Sequence, residues 1–295
     1  MAKSAGHFTP ATLRRAFFFS LAAAALTASG ALHAAQPPVK PPALSQAGKA
    51  DAEEAAQILQ QFRKSGVPGQ YYLEFDLVSM PHRGEEQTFK GRYWGARNEQ
   101  GAITRVELID AAGAKHRLLL QNGEQGAVWR LADGKATKLG TSDLFQPLIS
   151  GVEVTPFDVQ MPFLYWPEAA LEKIERTFGR PANVFRFGAP PAFAGAEVAA
   201  ARGYLDTQFN ALTKTELLDS TSRVLKTFSL LGFKKVQEQY LPKSADYRNE
   251  RTRNKTRLVV TAAAVNLELP AATFDPATLT RDAELPARAK IVPLE

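Results

Sequence analysis

The chain has 295 residues, of which 45% are hydrophobic and 22% are charged, and its formal net charge at pH 7 is +6. It contains no cysteine. This excludes a disulfide framework, a thiolate metal site, a cysteine nucleophile and a lipobox cysteine that could be acylated.

Residues 1–34 are predicted to form a cleaved signal peptide. Lys3, Arg14 and Arg15 precede an alanine-rich apolar run that ends in small residues, which is the order found in export signals. A transmembrane anchor is the less favoured alternative, because the run is short for a bilayer span. We therefore expect a periplasmic protein that is soluble after cleavage. Removing the three basic leader residues lowers the net charge from +6 to +3, too small an excess to indicate nucleic-acid binding.

Residues 35–49 are expected to be a proline-rich linker, and residues 50–295 a single domain. The domain begins with a predicted amphipathic helix over residues 50–66, which ends at a glycine. The apolar residues of this helix are spaced i, i+3, i+4, i+7 and are Ala55, Ile58, Leu59 and Phe62. One face of the helix must therefore lie on an apolar surface.

After this helix the hydrophobic period changes to two, which indicates β-strands. Tyr71, Leu73, Phe75 and Leu77 alternate with other residues along a half-buried strand. Four further short strands are predicted, at residues 88–97, 103–110, 115–121 and 127–131. The connections between them are too short for parallel crossovers, so the five strands form an antiparallel meander.

The middle of the chain carries an unusual aromatic stretch, residues 150–167. Prolines at positions 156, 162 and 167 forbid one continuous helix or a central strand. A second amphipathic helix is predicted to follow over residues 168–179, because Leu171, Ile174 and Phe178 fall on one helical face before Gly179.

The rest of the chain is again predicted to be β-structure. Six strands are expected, at residues 182–187, 203–212, 215–220, 223–231, 235–240 and 255–267. About eleven antiparallel strands curl or close. The fold class is therefore mainly β, an incomplete antiparallel β-barrel covered by helices, with the aromatic stretch lying across its concave side.

Common catalytic motifs are absent from the sequence: it has no GxSxG, Walker loop, GxGxxG or HExxH. His82 and His116 are too far apart for a local metal pair and are expected to be solvated. A hydrolase that uses paired carboxylates is an open but disfavoured alternative; its candidates are Asp76, Glu85, Glu86, Asp206, Glu216 and Asp219. We expect no enzyme activity, no metal and no cofactor.

The segment Asp246–Arg257 is rich in basic residues. It has two interpretations: a site for an anionic headgroup or an acidic partner, or a solvated hairpin whose charges protect strand edges. We favour the hairpin.

Several stretches together resemble the outer-membrane lipoprotein-sorting (LolA-like) family of periplasmic carriers. They are the exported leader, AAQILQQFRKSG followed by YYLEFDLVSM, FKGRYWG followed by RVELID, the LLLQNGEQGAVWRL hairpin, and a distal block from YLDTQFNAL to a closing F-x-P-x-x-L, here Phe274, Pro276 and Leu279. The resemblance covers roughly residues 52–279. It implies a half-open barrel whose apolar cavity binds acyl chains.

The chain differs from LolA itself in its proline-rich start and its aromatic stretch. In LolA an arginine helps to hold a lid over the cavity. Arg83, Arg92 and Arg105 are the candidates for that role by their order along this chain.

Alternation along the strands, together with the aromatic stretch, gives the residues expected to line the cavity and its lid. They are Tyr71, Leu73, Phe75, Phe89, Tyr93, Leu118, Leu120, Trp129, Phe157, Met161, Phe163, Tyr165 and Trp166. Residues 150–166 are either a movable lid or a permanent plug that forms part of the core.

The function expected from the resemblance is that of a monomeric periplasmic carrier or chaperone for lipidated protein or free lipid acyl chains, with envelope proteins as further partners. The alternative is a non-catalytic sensor or interaction module whose barrel is fully packed and which binds a protein through a groove or an edge strand.

Overall fold

The computed structural model describes residues 52–294 of the chain. The predicted signal peptide, residues 1–34, and the predicted linker, residues 35–49, lie outside the described residues and stay predictions.

One antiparallel sheet of fourteen strands dominates the described chain. The strands are β1 Gln70–Met80, β2 Gln87–Asn98, β3 Gly101–Ile109, β4 Lys115–Gln121, β5 Ala127–Ala132, β6 Lys135–Lys138, β7 Ala169–Thr177, β8 Arg180–Gly188, β9 Ala200–Asp206, β10 Leu212–Leu218, β11 Val224–Val236, β12 Gln239–Asn249, β13 Lys255–Leu267 and β14 Val292–Pro293. Their order is β6-β5-β4-β3-β2-β1-β13-β12-β11-β10-β9-β8-β7, and β14 pairs with β13. Since β6 and β7 do not pair, the sheet is an open, incomplete barrel, as expected.

The first predicted helix is confirmed as α1, Ala52–Lys64. Acidic residues lie in its first turn and basic residues in its last turn, which complements the helix dipole. Ala55 and Leu59 are buried, so the predicted apolar face is the face that packs. The second helix, α2, is short and spans Pro156–Gln160.

The helix predicted over residues 168–179 is wrong, because that segment is the edge strand β7. A β-bulge between Leu171 and Lys173 places Leu171 opposite Phe185 and Ile174 opposite Asn183. Three residue steps along β7 therefore span two steps along β8. Leu171 and Ile174 lie on the same face of the strand although their spacing is that of a helix. Phe178 and Gly179 both have positive φ angles, as a tight hairpin turn requires.

The predicted number of strands, about eleven, was too low, partly because turns with positive φ angles were not recognised. Residues 203–212 are not one strand, because a turn in which Asn210 has φ 48° separates β9 from β10. Residues 235–240 are not a strand either: Gln237, at φ 53°, lies in the turn between β11 and β12. The basic segment is a hairpin, as predicted, in which Arg257 Nε donates to Asp246 Oδ1 over 2.7 Å. The expected protection of strand edges is wrong, because the hairpin joins the interior strands β12 and β13.

The two faces of the sheet are covered by different parts of the chain. The inner face carries the largest hydrophobic cluster, to which Phe75, Leu77, Phe89 and Leu118 belong. The outer face of the first half carries Tyr72, Trp94 and Leu119 in separate clusters. Alternation along the strands thus separates two cores.

Residues 268–294, the C-terminal strap, cover the outer face of the first half. Leu279 is fully buried there beside Leu119, and Trp94 Nε1 donates to the carbonyl of Glu284 over 3.0 Å. The buried Arg105 donates to the carbonyls of Thr278 and Arg281. The closing F-x-P-x-x-L motif therefore supplies the side chain of the strap that packs into the outer face of the sheet.

Leu279→Ala should lower the free energy of unfolding by about 2 to 5 kcal/mol, because it opens a cavity under a fully buried side chain. Urea denaturation followed by circular dichroism measures this change. Leu285→Ala is the matched control, since Leu285 is exposed on the same strap. Equal stabilities of the two variants would contradict a structural role for the motif.

Candidate ligand-binding site

Residues 139–167, the inner segment, connect β6 to β7 across the inner face of the sheet. Thr155 caps α2: its hydroxyl accepts from the backbone N–H of Asp158, whose carboxylate bonds back to the N–H of Thr155. Pro156 and Pro162 each begin a short helical turn, a position where the missing N–H costs nothing. The prolines therefore fix a compact, irregular path.

The aromatic side chains of the inner segment fill the inner face. Phe157, Phe163 and Trp166 are almost completely buried. The ring centroid of Phe157 lies 4.7 Å from that of Phe145, and the centroid of Phe163 lies 5.8 Å from that of Phe187 on β8. Much of the volume expected to be a cavity is thus occupied by the protein's own core.

Polar contacts also hold the inner segment to two strands, β11 and β4. Lys226 of β11 donates to Asp158 Oδ2 over 2.6 Å and to the carbonyl of Glu153 over 2.5 Å. Gln160 Nε2 donates to the carbonyl of Gln121 over 2.9 Å. The Lys226 and Asp158 side chains are only 14% and 6% exposed. A buried pair of this kind is costly to break, which favours the permanent plug over the movable lid for this part of the segment.

Lys226→Met should lower the free energy of unfolding by about 3 to 5 kcal/mol, because it leaves the carboxylate of Asp158 buried without its cation. Chemical denaturation measures the loss. Lys235→Met is the control, since the Lys235–Glu238 pair is exposed, and it should change stability little. A similarly small effect at Lys226 would show that the ion pair does not anchor the segment.

A cleft of about 690 Å³ remains open between α1 and β7. Small side chains line it on both sides: Ala52, Ala55, Ala56, Ala169 and Ala170. Leu59, Trp166, Leu171 and Phe185 supply larger apolar surface. Because alanines face each other across the gap, helix and strand leave room between them. The volume lies within the range of small-molecule sites, roughly 300 to 1,000 Å³.

Polar groups lie at one end of the cleft. Arg63 and Tyr165 line it there together with Glu124 of the β4–β5 turn, and the Arg63 guanidinium lies 5.6 Å from the centroid of the Tyr165 ring. Burial lowers the pKa of Arg63 and raises the pKa of Tyr165. A more polar depression of about 500 Å³ shares Arg63 and Tyr165 with the cleft, and Gln60, Gln100 and Gln125 are among its lining residues.

Arg63 also fixes the end of the inner segment. Its Nε donates to the carbonyl of Leu164 over 2.6 Å and its Nη2 to the carbonyl of Trp166 over 3.5 Å. Arg63 is not among the site residues predicted from the sequence. The available signal was its spacing, since Arg63 follows Ala55 and Leu59 at i+8 and i+4 and so shares their buried face.

The structure separates the thirteen predicted cavity residues. Tyr165 and Trp166 line the cleft. The others on the inner face belong to packed clusters or their margins: Tyr71, Leu73, Phe75, Phe89, Tyr93, Leu118, Leu120, Phe157, Met161 and Phe163. Trp129 lies on the outer face, because it pairs with Leu119 and packs in that cluster. The prediction of Trp129 as a cavity residue is therefore wrong, because the assumed alternation along β5 was shifted by one residue.

The three arginines proposed from the resemblance do not lie where a lid would need them. Arg105 holds the C-terminal strap, and Arg92 bonds to Glu107 on the outer face over 3.4 Å. Arg83 is exposed in the β1–β2 loop. The arginine that contacts the inner segment is Arg63.

Two of the candidate carboxylates, Asp206 and Asp219, and the candidate histidine His116 are held in other contacts. The bond from Arg180 lowers the pKa of Asp206, and the bond from Thr221 lowers the pKa of Asp219, whereas a general acid needs a raised pKa. His116 Nε2 lies 2.8 Å from Asp110 Oδ2, and the backbone N–H of His82 donates to Asn254. Within residues 52–294 there is no group of three His, Asp or Glu that could hold a metal ion.

Comparisons with known proteins agree on the fold. A family model described as "Uncharacterized protein" matches residues 199–281, and no curated protein matches the chain. A domain described as an outer membrane lipoprotein-sorting protein from Vibrio parahaemolyticus superposes with a TM-score of 0.67 at 15% identity, covering 78% of this chain and 100% of the other. A DUF1329 family protein from Desulfovibrio piger gives 0.65 at 12% identity, covering 77% and 98%.

A LolA superfamily protein from Nitrosomonas europaea gives a TM-score of 0.58 at 15% identity, covering 75% of this chain and 97% of the other. The similarity to lipoprotein-sorting proteins suggested by the sequence is therefore confirmed at the level of the fold. Among the described residues, none of the helices has the length and apolar character needed to cross a bilayer.

Proposed function

We propose that this protein is a periplasmic carrier or chaperone that binds acyl chains, of a lipidated protein or a free lipid, in the cleft between α1 and β7. The observation that carries the proposal is the half-open cleft itself, lined by alanines, Trp166 and Phe185. The fold shared with proteins described as lipoprotein-sorting supports it. The site differs from the one expected from the sequence, because it lies beside the packed inner face.

Binding at this site needs no covalent chemistry. Apolar chain leaves water with a gain of about 25 cal/mol for each Å² buried, and Trp166, Leu171 and Phe185 offer apolar surface along the cleft. Release follows when a partner offers the chain a better site. The polar groups at the Arg63 end leave the head of the ligand near solvent.

The second candidate function is a protein-interaction module, which the edge strand β7 favours. In the described chain β7 pairs only with β8, and Ile174 and Phe178 are exposed on it and in its hairpin turn. An extended peptide of an envelope protein would add to such an edge. This function needs no bound lipid.

Trp166 provides a reporter for the carrier function. In a Trp94→Phe, Trp129→Phe variant, Trp166 is the remaining tryptophan, and its emission should change saturably when a single-chain acyl compound is titrated, because the ring lines the cleft. Ala56→Phe should weaken binding at least several-fold by filling the cleft. Gln57→Phe is the matched control, since its neighbouring position on α1 is exposed and does not line the cleft.

Native mass spectrometry of protein purified from its own periplasm without detergent gives an independent readout. A bound lipid or acylated peptide would support the carrier function and identify the cargo class. A ligand-free mass together with an unchanged Trp166 emission would overturn it and favour the interaction module at β7.

A further inference from the structure

Among the described residues, Arg63 has no carboxylate at ion-pair distance, in contrast to several other partly buried arginines. Arg117, Arg202 and Arg257 each bond to an acidic side chain. Arg63 is half-buried, yet within residues 52–294 no carboxylate oxygen lies within 4.0 Å of its guanidinium. Burial lowers the pKa of Arg63, and Glu124 opposes this shift from beyond ion-pair distance. A partly buried charge that no carboxylate contacts directly is unfavourable, so the cleft contains a cation that an anionic ligand would neutralise at closer range.

The guanidinium of Arg63 retains capacity for a ligand. It has five N–H donors, and the structure uses one at Nε for the carbonyl of Leu164 and one at Nη2 for the carbonyl of Trp166. The other N–H donors on the two terminal nitrogens have no partner among these bonds. Arg63 lines the same cleft as Trp166 and Phe185, so a ligand in the cleft could accept from them.

The surroundings of Arg63 limit the charge of that ligand. Arg97 lies nearby, because its Nη2 donates to the carbonyls of Arg63 and Ser65, and it adds positive potential. Glu124 lines the same cleft and opposes a second negative charge. A single negative charge therefore suits the site better than a phosphate dianion, and a carboxylate matches the planar fork of arginine.

We propose that the cleft selects single-chain amphiphiles with a carboxylate head, the fatty-acid class, with the carboxylate on the Arg63 guanidinium and the chain running along Trp166 and Phe185. This inference rests on the proposed function, since it names the ligand class of the same cleft. Arg63 is then the residue that determines specificity for the head group.

The test compares laurate with 1-monolauroylglycerol, which carries the same chain on an uncharged head. Both are titrated below their aggregation thresholds against the variant in which Trp166 is the remaining tryptophan. Laurate should bind roughly 10- to 100-fold more tightly, the effect of a charge-assisted hydrogen bond. Arg63→Gln should abolish this preference while binding of the uncharged compound persists.

Three further variants keep the test interpretable. Lys64→Gln removes an equal charge from a neighbouring position that does not line the cleft and should keep the preference. Glu124→Gln should strengthen laurate binding a few-fold and leave monolauroylglycerol unchanged, without touching the contacts of the inner segment. Arg63→Lys keeps the charge but loses the fork, and should give an intermediate preference. Thermal melts establish that each variant is folded.

The outcomes separate this inference from the proposed function. Equal binding of the two compounds by the parent protein, or a preference that survives in folded Arg63→Gln, would overturn the carboxylate inference alone. Failure of both compounds to bind would overturn the proposed function and the inference with it.

Discussion

The structure depends on one constraint: an antiparallel sheet that does not close has an apolar inner face that must be covered by the chain itself. Phe157, Phe163 and Trp166 meet this requirement by packing on rings from β8 and from neighbouring turns. Apolar burial is the dominant favourable term in folding. The aromatic stretch is therefore first a structural element of the core, and whatever volume it leaves open decides where a ligand can bind.

The space left open follows from how the two edges of the sheet are treated. On the first half, β6 lies against the C-terminal strap, whose Leu279 packs with Leu119. On the second half, β7 pairs with β8 and lies against the alanine face of α1. Small side chains cannot fill the gap between a helix and a strand, whereas the aromatic rings fill the inner face. The cleft thus lies at the β7 edge of the sheet, where α1 contributes alanine side chains.

Much of the first half of the fold could be predicted from the sequence. Alternation in β1 and glycine-containing turns between the next strands determine a meander with little ambiguity. The fold class and α1 followed from the same local signals. The second half was harder, since the bulge at Glu172 gives β7 a three-residue spacing that mimics a helix. A bulge depends on pairing with β8, which local periodicity does not record.

The site was predicted less well than the fold, for a related reason. Alternation identifies the residues on a face but not whether that face is filled, so Phe75 and Leu118 were assigned to a cavity although they belong to the core. Trp129 was assigned to the wrong face because Leu118, Leu119 and Leu120 form a continuous apolar run that hides the phase of the strands. Arg63 was missed because a basic residue in the last turn of a helix already has an explanation in the helix dipole.

Arg63 connects the core to the cleft, and this connection bears on how a ligand would enter. The guanidinium already bonds to the carbonyls of Leu164 and Trp166, and its remaining donors can accept a further partner without breaking those bonds. The Lys226–Asp158 pair holds the same segment from the other side. Binding in the cleft therefore requires no displacement of the inner segment. In the proposed function, the proline-broken stretch would then serve as a fixed wall of the site, in contrast to a lid that would have to open before an acyl chain could enter.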